Sequence, residues 1–302
     1  MFTSLLDRAV FVSPTSSVTL VAAAALIALA GLLTAARRLR RTTAAVPLLY
    51  AAAAVVGTAA AAILREPFSA YASAVLAVAP TPALLGAKRP QAAAWQVIVL
   101  TLVAVLLLPV VQGWAFGDGR PRIHPLFQLI VAAHLFIGAA NYLPTRFAGP
   151  ALAVVAAQAA VAWGPLFEFH EPRLLVEQGP LVGLLAAAGA VAWCFRPADR
   201  SATVGLARLW CDFCDLYGVV WGLRVAERMN DAARRHGRPV EFAWKSIEWR
   251  TAEAPPDPDA AHRIERELRS LLRRFVDHDW IARRMNPPAR PPNGCTSSEP
   301  RA

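Results

Sequence analysis

The chain has 302 residues, 56% of them hydrophobic, with a mean hydropathy of +0.40, which is too apolar for an ordinary soluble domain of this size. Its formal charge is +10 and almost all of the positive charge is arginine, since Lys88 and Lys245 are the only lysines. After Phe195 the tail carries 19 Lys/Arg interleaved with 15 Asp/Glu; a phosphate-tracking face wants one sign of charge, so nucleic acid is excluded as a partner.

Seven stretches contain no Asp, Glu, Lys or Arg: Val18–Ala36, Val46–Leu64, Phe68–Ala87, Trp95–Gln112, Leu126–Leu143, Ala148–Phe167 and Gly179–Phe195. A hydrocarbon core ~30 Å thick needs ~20 mostly apolar residues per helix and penalises charge. The pattern therefore predicts an all-α polytopic bundle of about seven transmembrane helices. It divides into an N-terminal segment (1–17), the bundle (18–195), an amphipathic helical tail module (196–285) and a Pro/Ser-rich C-terminus (286–302), which reads as disordered. Met1–Pro14 has no basic segment ahead of the first apolar run, so it does not read as a cleavable signal. Arg37, Arg38, Arg40 and Arg41 follow that run and should stay cytoplasmic, placing the N-terminus outside and the tail inside a plasma membrane. Lys88, Arg89 and Arg146 fall on the same side in this scheme; Arg65, Arg120, Arg122 and Arg173 fall on the other.

Within the third stretch, Pro80 and Pro82 predict a kinked span. Small residues recur every fourth position, as in Ala53-Gly57-Ala61 and Ala156-Ala160-Gly164, which suits close helix packing within the bundle and would also suit a homo-oligomer. His134, Gly138 and Asn141 share one face of the fifth span. His134 and Asn141 are the candidates for hydrogen-bonding glue between helices or for a substrate contact. No second histidine in the bilayer supports haem, and no carboxylate lies mid-membrane to couple ions. Two outer loops hold His124 and, further on, Glu168, His170 and Glu171, but their spacing fits no metal-ligand pattern. Trp114 and Phe116 read as interface anchors.

Over Ala198–Arg235 the tail predicts one long amphipathic helix, with Trp210, Phe213, Tyr217 and Trp221 on its apolar stripe. That face suits the membrane interface, with anionic lipid as a partner of the tail, or packing under the bundle. Cys211 and Cys214 form a CxxC in mid-helix beside two aspartates, a poor setting for redox chemistry or zinc. Pro239–Arg250 reads as a short strand or extended segment with Val240, Phe242 and Trp244 on its apolar side. A second helix is expected from Asp257 to Met285.

No phosphate loop, paired catalytic carboxylates or nucleophile elbow is present, so the sequence implies neither an enzyme nor a cofactor. The leading expectation is a membrane anchor whose tail organises a protein partner or a second copy. The alternative is a passive or lipid-type transporter using the His134/Asn141 face, and the third is an enzyme working at the outer loops. A filled bundle would favour the anchor, and a lined cavity the transporter.

Overall fold

The computed structural model describes residues 14–116, 123–166, 173–196, 205–249 and 258–285. Its first part is a bundle of apolar helices. Helix α1 covers Pro14–Leu39 and α2 covers Ala45–Leu64. The third crossing is split at Ala79 into α3 (Pro67–Val78) and α4 (Pro80–Leu85). A 3-10 turn (Arg89–Gln91) leads into α5 (Ala92–Leu106), which α6 (Leu108–Phe116) extends after a break at Leu107. Helices α7 (Pro125–Tyr142), α8 (Ala148–Leu166) and α9 (Arg173–Cys194) complete the bundle. Six of these runs are long and apolar enough to span a bilayer, and the apolar part of the seventh is the shorter Gln178–Cys194. The chain is a multi-pass α-helical membrane bundle.

Proline sets both breaks. Pro80 and Pro82 interrupt the third crossing as expected, and Pro109 interrupts the fourth. Carbonyls near the breaks accept donors from neighbouring helices, as a lipid-bound backbone requires. Gln158 Nε2 donates to the Ala77 carbonyl (2.5 Å), Trp95 Nε1 to Pro82 (2.7 Å) and Tyr71 Oη to Leu106 (2.8 Å).

Glycine lets α8 and α9 approach backbone to backbone. A Cβ on Gly179 would lie 2.5 Å from the Ala160 carbonyl oxygen, and one on Gly183 would lie 3.0 Å from that of Ala157. Gly57 likewise seats Leu76 of α3. The Ala53-Gly57-Ala61 row thus packs inside the chain at Gly57 and Ala61, whereas in the Ala156 row the contact runs through Ala157 and Ala160 and Ala156 is exposed.

The tail forms a separate core docked on one end of the bundle. It comprises α10 (Gly205–Arg235), a hairpin of β1 (Val240–Ala243) and β2 (Ser246–Trp249), α11 (Pro258–Leu272) and α12 (His278–Met285). Three expectations are corrected here. The single strand is an antiparallel hairpin, with Val240 opposite Trp249 and Ala243 opposite Ser246; its turn holds Lys245 at φ 62°. The second helix breaks after Leu272. Val276 bridges to Thr42, and Asp277 caps α12 by accepting from Trp280 N–H (2.9 Å). The long helix α10 is broken at Gly218, whose φ 73°, ψ −169° is open to glycine alone.

The module grips three loops at the same end of the bundle. Thr43 N–H donates to the Phe275 carbonyl (2.9 Å) and Arg89 N–H to Arg274 (2.8 Å). Arg146 N–H donates to Asp215 Oδ1 (3.2 Å). Arg41 pairs with Asp277 and Asp279. The loops that carry Arg37–Arg41, Lys88–Arg89 and Arg146 therefore lie on one side with the tail.

Candidate functional site

The aromatic stripe of α10 is the centre of the module core. Trp210, Phe213 and Tyr217 are each 0% exposed. Phe213 and Tyr217 stand 5.3 and 5.2 Å from the Phe275 ring, and Trp210 meets Phe242 edge-on at 5.5 Å. Trp221 is half-buried against Phe275 (4.9 Å) and its Nε1 donates to the Leu84 carbonyl of α4 (3.3 Å). The lipid-facing version of this helix is thereby corrected: these rings pack on protein, under the bundle. A stripe at helical period looks the same whether lipid or a second apolar surface covers it.

Asn141 joins the two parts. It ends α7, 4% exposed, and accepts from Val220 N–H at Oδ1 (3.0 Å) while Nδ2 donates to the Tyr217 carbonyl (3.3 Å). These are backbone groups on either side of Gly218, so the side chain bridges the break in α10. Next to it, Tyr142 Oη donates to the Leu216 carbonyl (3.0 Å). His134 does not join this contact. Its Nδ1 lies 2.7 Å from the Ile130 carbonyl of its own helix, so it bonds back along α7 rather than across to a neighbour. The expected His134/Asn141 pair is therefore split, and only Asn141 acts as glue.

Above this joint lies a cavity of about 1000 Å³. It is ringed by the module-side halves of six helical segments. Leu32 and Ala35 come from α1, Leu48 and Ala51 from α2, Leu84 from α4, Ile137 from α7, Ala151 and Val155 from α8, and Val191 from α9. Gln158 marks its deep end, ten residues after Ala148, about 15 Å along α8 at ~1.5 Å per residue. That is one leaflet of a ~30 Å hydrocarbon core. His134 does not line it; Gly138 and Asn141 do.

The mouth is cationic. Arg37, Arg38, Arg40, Arg41, Arg146, Arg283 and Arg284 line it beside a single acid, Asp212. Arg284 Nε donates to Asp212 Oδ2 (2.9 Å), Arg146 meets Asp215 Oδ2 (3.4 Å), and Arg41 is held by Asp277 and Asp279. Among the described residues, Arg37, Arg38, Arg40 and Arg283 pair with no carboxylate, and Arg38 lies over the Phe195 ring at 5.0 Å. Trp280 also lines the mouth, 2% exposed, with the Arg284 guanidinium 3.5 Å from its ring centre. Its buried Nε1–H has no acceptor in the described structure. Sequence reading used the Arg37–Arg41 cluster for topology alone and missed Trp280, Arg283 and Arg284. Three cationic or aromatic residues within one short helix beyond an Asp cap were the available signal.

Cys211 and Cys214 are free thiols in the module. Cys211 Sγ donates to the Lys245 carbonyl (3.1 Å). Burial pushes the Cys214 thiol up to about 12, with a smaller push from Asp215, and raises Cys211 for the same leading reason. Neither is a ready nucleophile. His124 caps α7 by accepting from Leu126 N–H (3.2 Å). Glu168, His170 and Glu171 lie outside the described residues, and among those described no His/Cys/Asp/Glu group could hold a metal ion. Trp114 and Phe116 sit 79% exposed at the end of α6.

No protein-family model matches the chain, and neither a curated protein nor a solved structure resembles it.

Proposed function

We propose that this protein binds and hands on a membrane amphiphile, whose apolar chain occupies the chamber between the bundle and the tail module. The observation that supports this is the chamber itself, apolar along one leaflet's depth and arginine-rimmed where a headgroup would sit. The chamber is partly open rather than sealed, so a membrane amphiphile can enter it. Away from the arginines its walls are mostly Ala, Leu, Val and Pro, which favour hydrocarbon over water. On this reading the membrane is the plasma membrane, the N-terminus lies outside, and the module faces the cytoplasm and its anionic leaflet. An anchor that organises a partner remains the second role, carried by the exposed surface of the module.

Lipid retained through detergent purification tests the reading. The wild-type chain should carry about one amphiphile per molecule, identified by mass spectrometry. Ala151→Phe, which places a ring inside the chamber, should strip it while the protein stays folded. Equal retention in both would show that the lipid sits elsewhere and that the chamber is not the site.

A further inference from the structure

We infer that the headgroup held at this mouth carries more than one negative charge, as in a lipid phosphomonoester or diphosphate; the inference rests on the chamber binding an amphiphile at all. The charge balance leads to it. The bundle and the module both present arginines to one opening: Arg37 at the end of α1 and Arg40 just beyond it, Arg283 from α12 of the module. All three are solvent-exposed, so water screens their mutual repulsion, and an anion at the mouth is favoured rather than required. Nearby carboxylates do not fill that role. Asp212 faces Arg284, Asp215 faces Arg146 and Lys245, and Asp277 and Asp279 face Arg41.

A single phosphodiester charge leaves most of this surplus unmet, whereas a phosphomonoester or diphosphate offers several oxygens to several guanidinium forks. Because the arginines come from both bodies, such a headgroup also fastens the module to the bundle. Zwitterionic lipids could place a chain in the chamber but would bring an ammonium group to a cationic rim. Headgroup charge is thus the discriminating feature.

The full chain in nanodiscs tests this. Nanodiscs of phosphatidylcholine alone would be compared with ones holding equal fractions of phosphatidic acid or phosphatidylglycerol, and inorganic pyrophosphate would be titrated separately. Phosphatidic acid should raise the module's melting temperature and bind about tenfold more tightly than phosphatidylglycerol, the scale of one additional charge-assisted hydrogen bond. Arg37→Gln with Arg283→Gln should erase that preference, while Arg235→Gln, distant on α10, should leave it intact. Equal response to both anionic lipids, or an equal loss with Arg235→Gln, would overturn the inference and leave the chamber reading standing. Pyrophosphate binding as tightly as the lipid would assign the mouth to a soluble anion and overturn it too. An absence of binding by every amphiphile, unchanged by Ala151→Phe, would instead remove the chamber reading on which it rests.

Discussion

Replacing Gly218 with alanine should unseat the tail module from the bundle. The position costs twice over. Its backbone, φ 73° and ψ −169°, lies where a residue with a Cβ pays about 1–3 kcal/mol. A Cβ there would also sit 2.5 Å from the Asn141 carbonyl oxygen, a backbone atom of α7 that no rotamer can move. Relief requires α10 to back away, which stretches the Asn141 bonds to Val220 and Tyr217, each worth ~1 kcal/mol and more if left buried and unpaired. The total is on the order of 3–5 kcal/mol, concentrated at the docking joint. Hydrogen exchange on the detergent-purified protein should then show faster exchange across α10 to α12, with α8 and α9 unchanged. Gly189→Ala is the matched control, since a Cβ there meets nothing within 4 Å. Unaltered protection of the module in Gly218→Ala would refute the argument that this glycine is required by the joint.

Asn141→Leu should destabilise the module by about 2–4 kcal/mol, because it orphans two backbone groups, whereas His134→Leu should cost under about 1 kcal/mol; thermal melts of the two variants decide this, and equal losses would contradict the split of the pair. Burial raises the Cys214 thiol and the Tyr217 phenol from their ordinary values of 9.0 and 10.0 to about 12. The unfolded chain therefore loses these protons first, so module stability should hold below pH 9 and fall between pH 9 and 12, with a shallower fall in Cys214→Ala. Reporters fused at Ala302 should be active only in a cytoplasmic form; activity of a periplasmic reporter would invert the proposed orientation.

The spans were legible because a bilayer leaves so little choice: charge is excluded for ~20 residues at a time, and Val46–Leu64 or Ala148–Phe167 admits no other reading. Proline positions likewise announced the kink at Ala79. The joint was not legible. Asn141 looked like a partner for His134 because both share a helix face, and nothing local says that an asparagine at the end of α7 will bond a segment some 80 residues later. Nor does an aromatic stripe reveal what covers it. Gly218 and Gly222 are small residues within the same helix, yet only the fold shows that they sit close against Asn141 and Trp244. The hairpin was missed because Trp244-Lys245 lacks the Gly or Asn that usually marks a two-residue turn.

The grip of the module on three separate loops couples its folding to the threading of the bundle. The loops at Arg41, Arg89 and Arg146 share a side only if an even number of crossings separates them, two between each successive pair in this bundle. A chain that skipped one crossing would present them on opposite faces of the membrane, and Trp210, Phe213, Tyr217 and Phe275 would be left without a complete seat. Their exposed rings would then mark the misthreaded molecule as unfolded, in the aqueous compartment where chaperones and proteases recognise such surfaces. The grip ties the three loops to one side, and which side that is falls to the charge bias along the loops, seven basic residues against four.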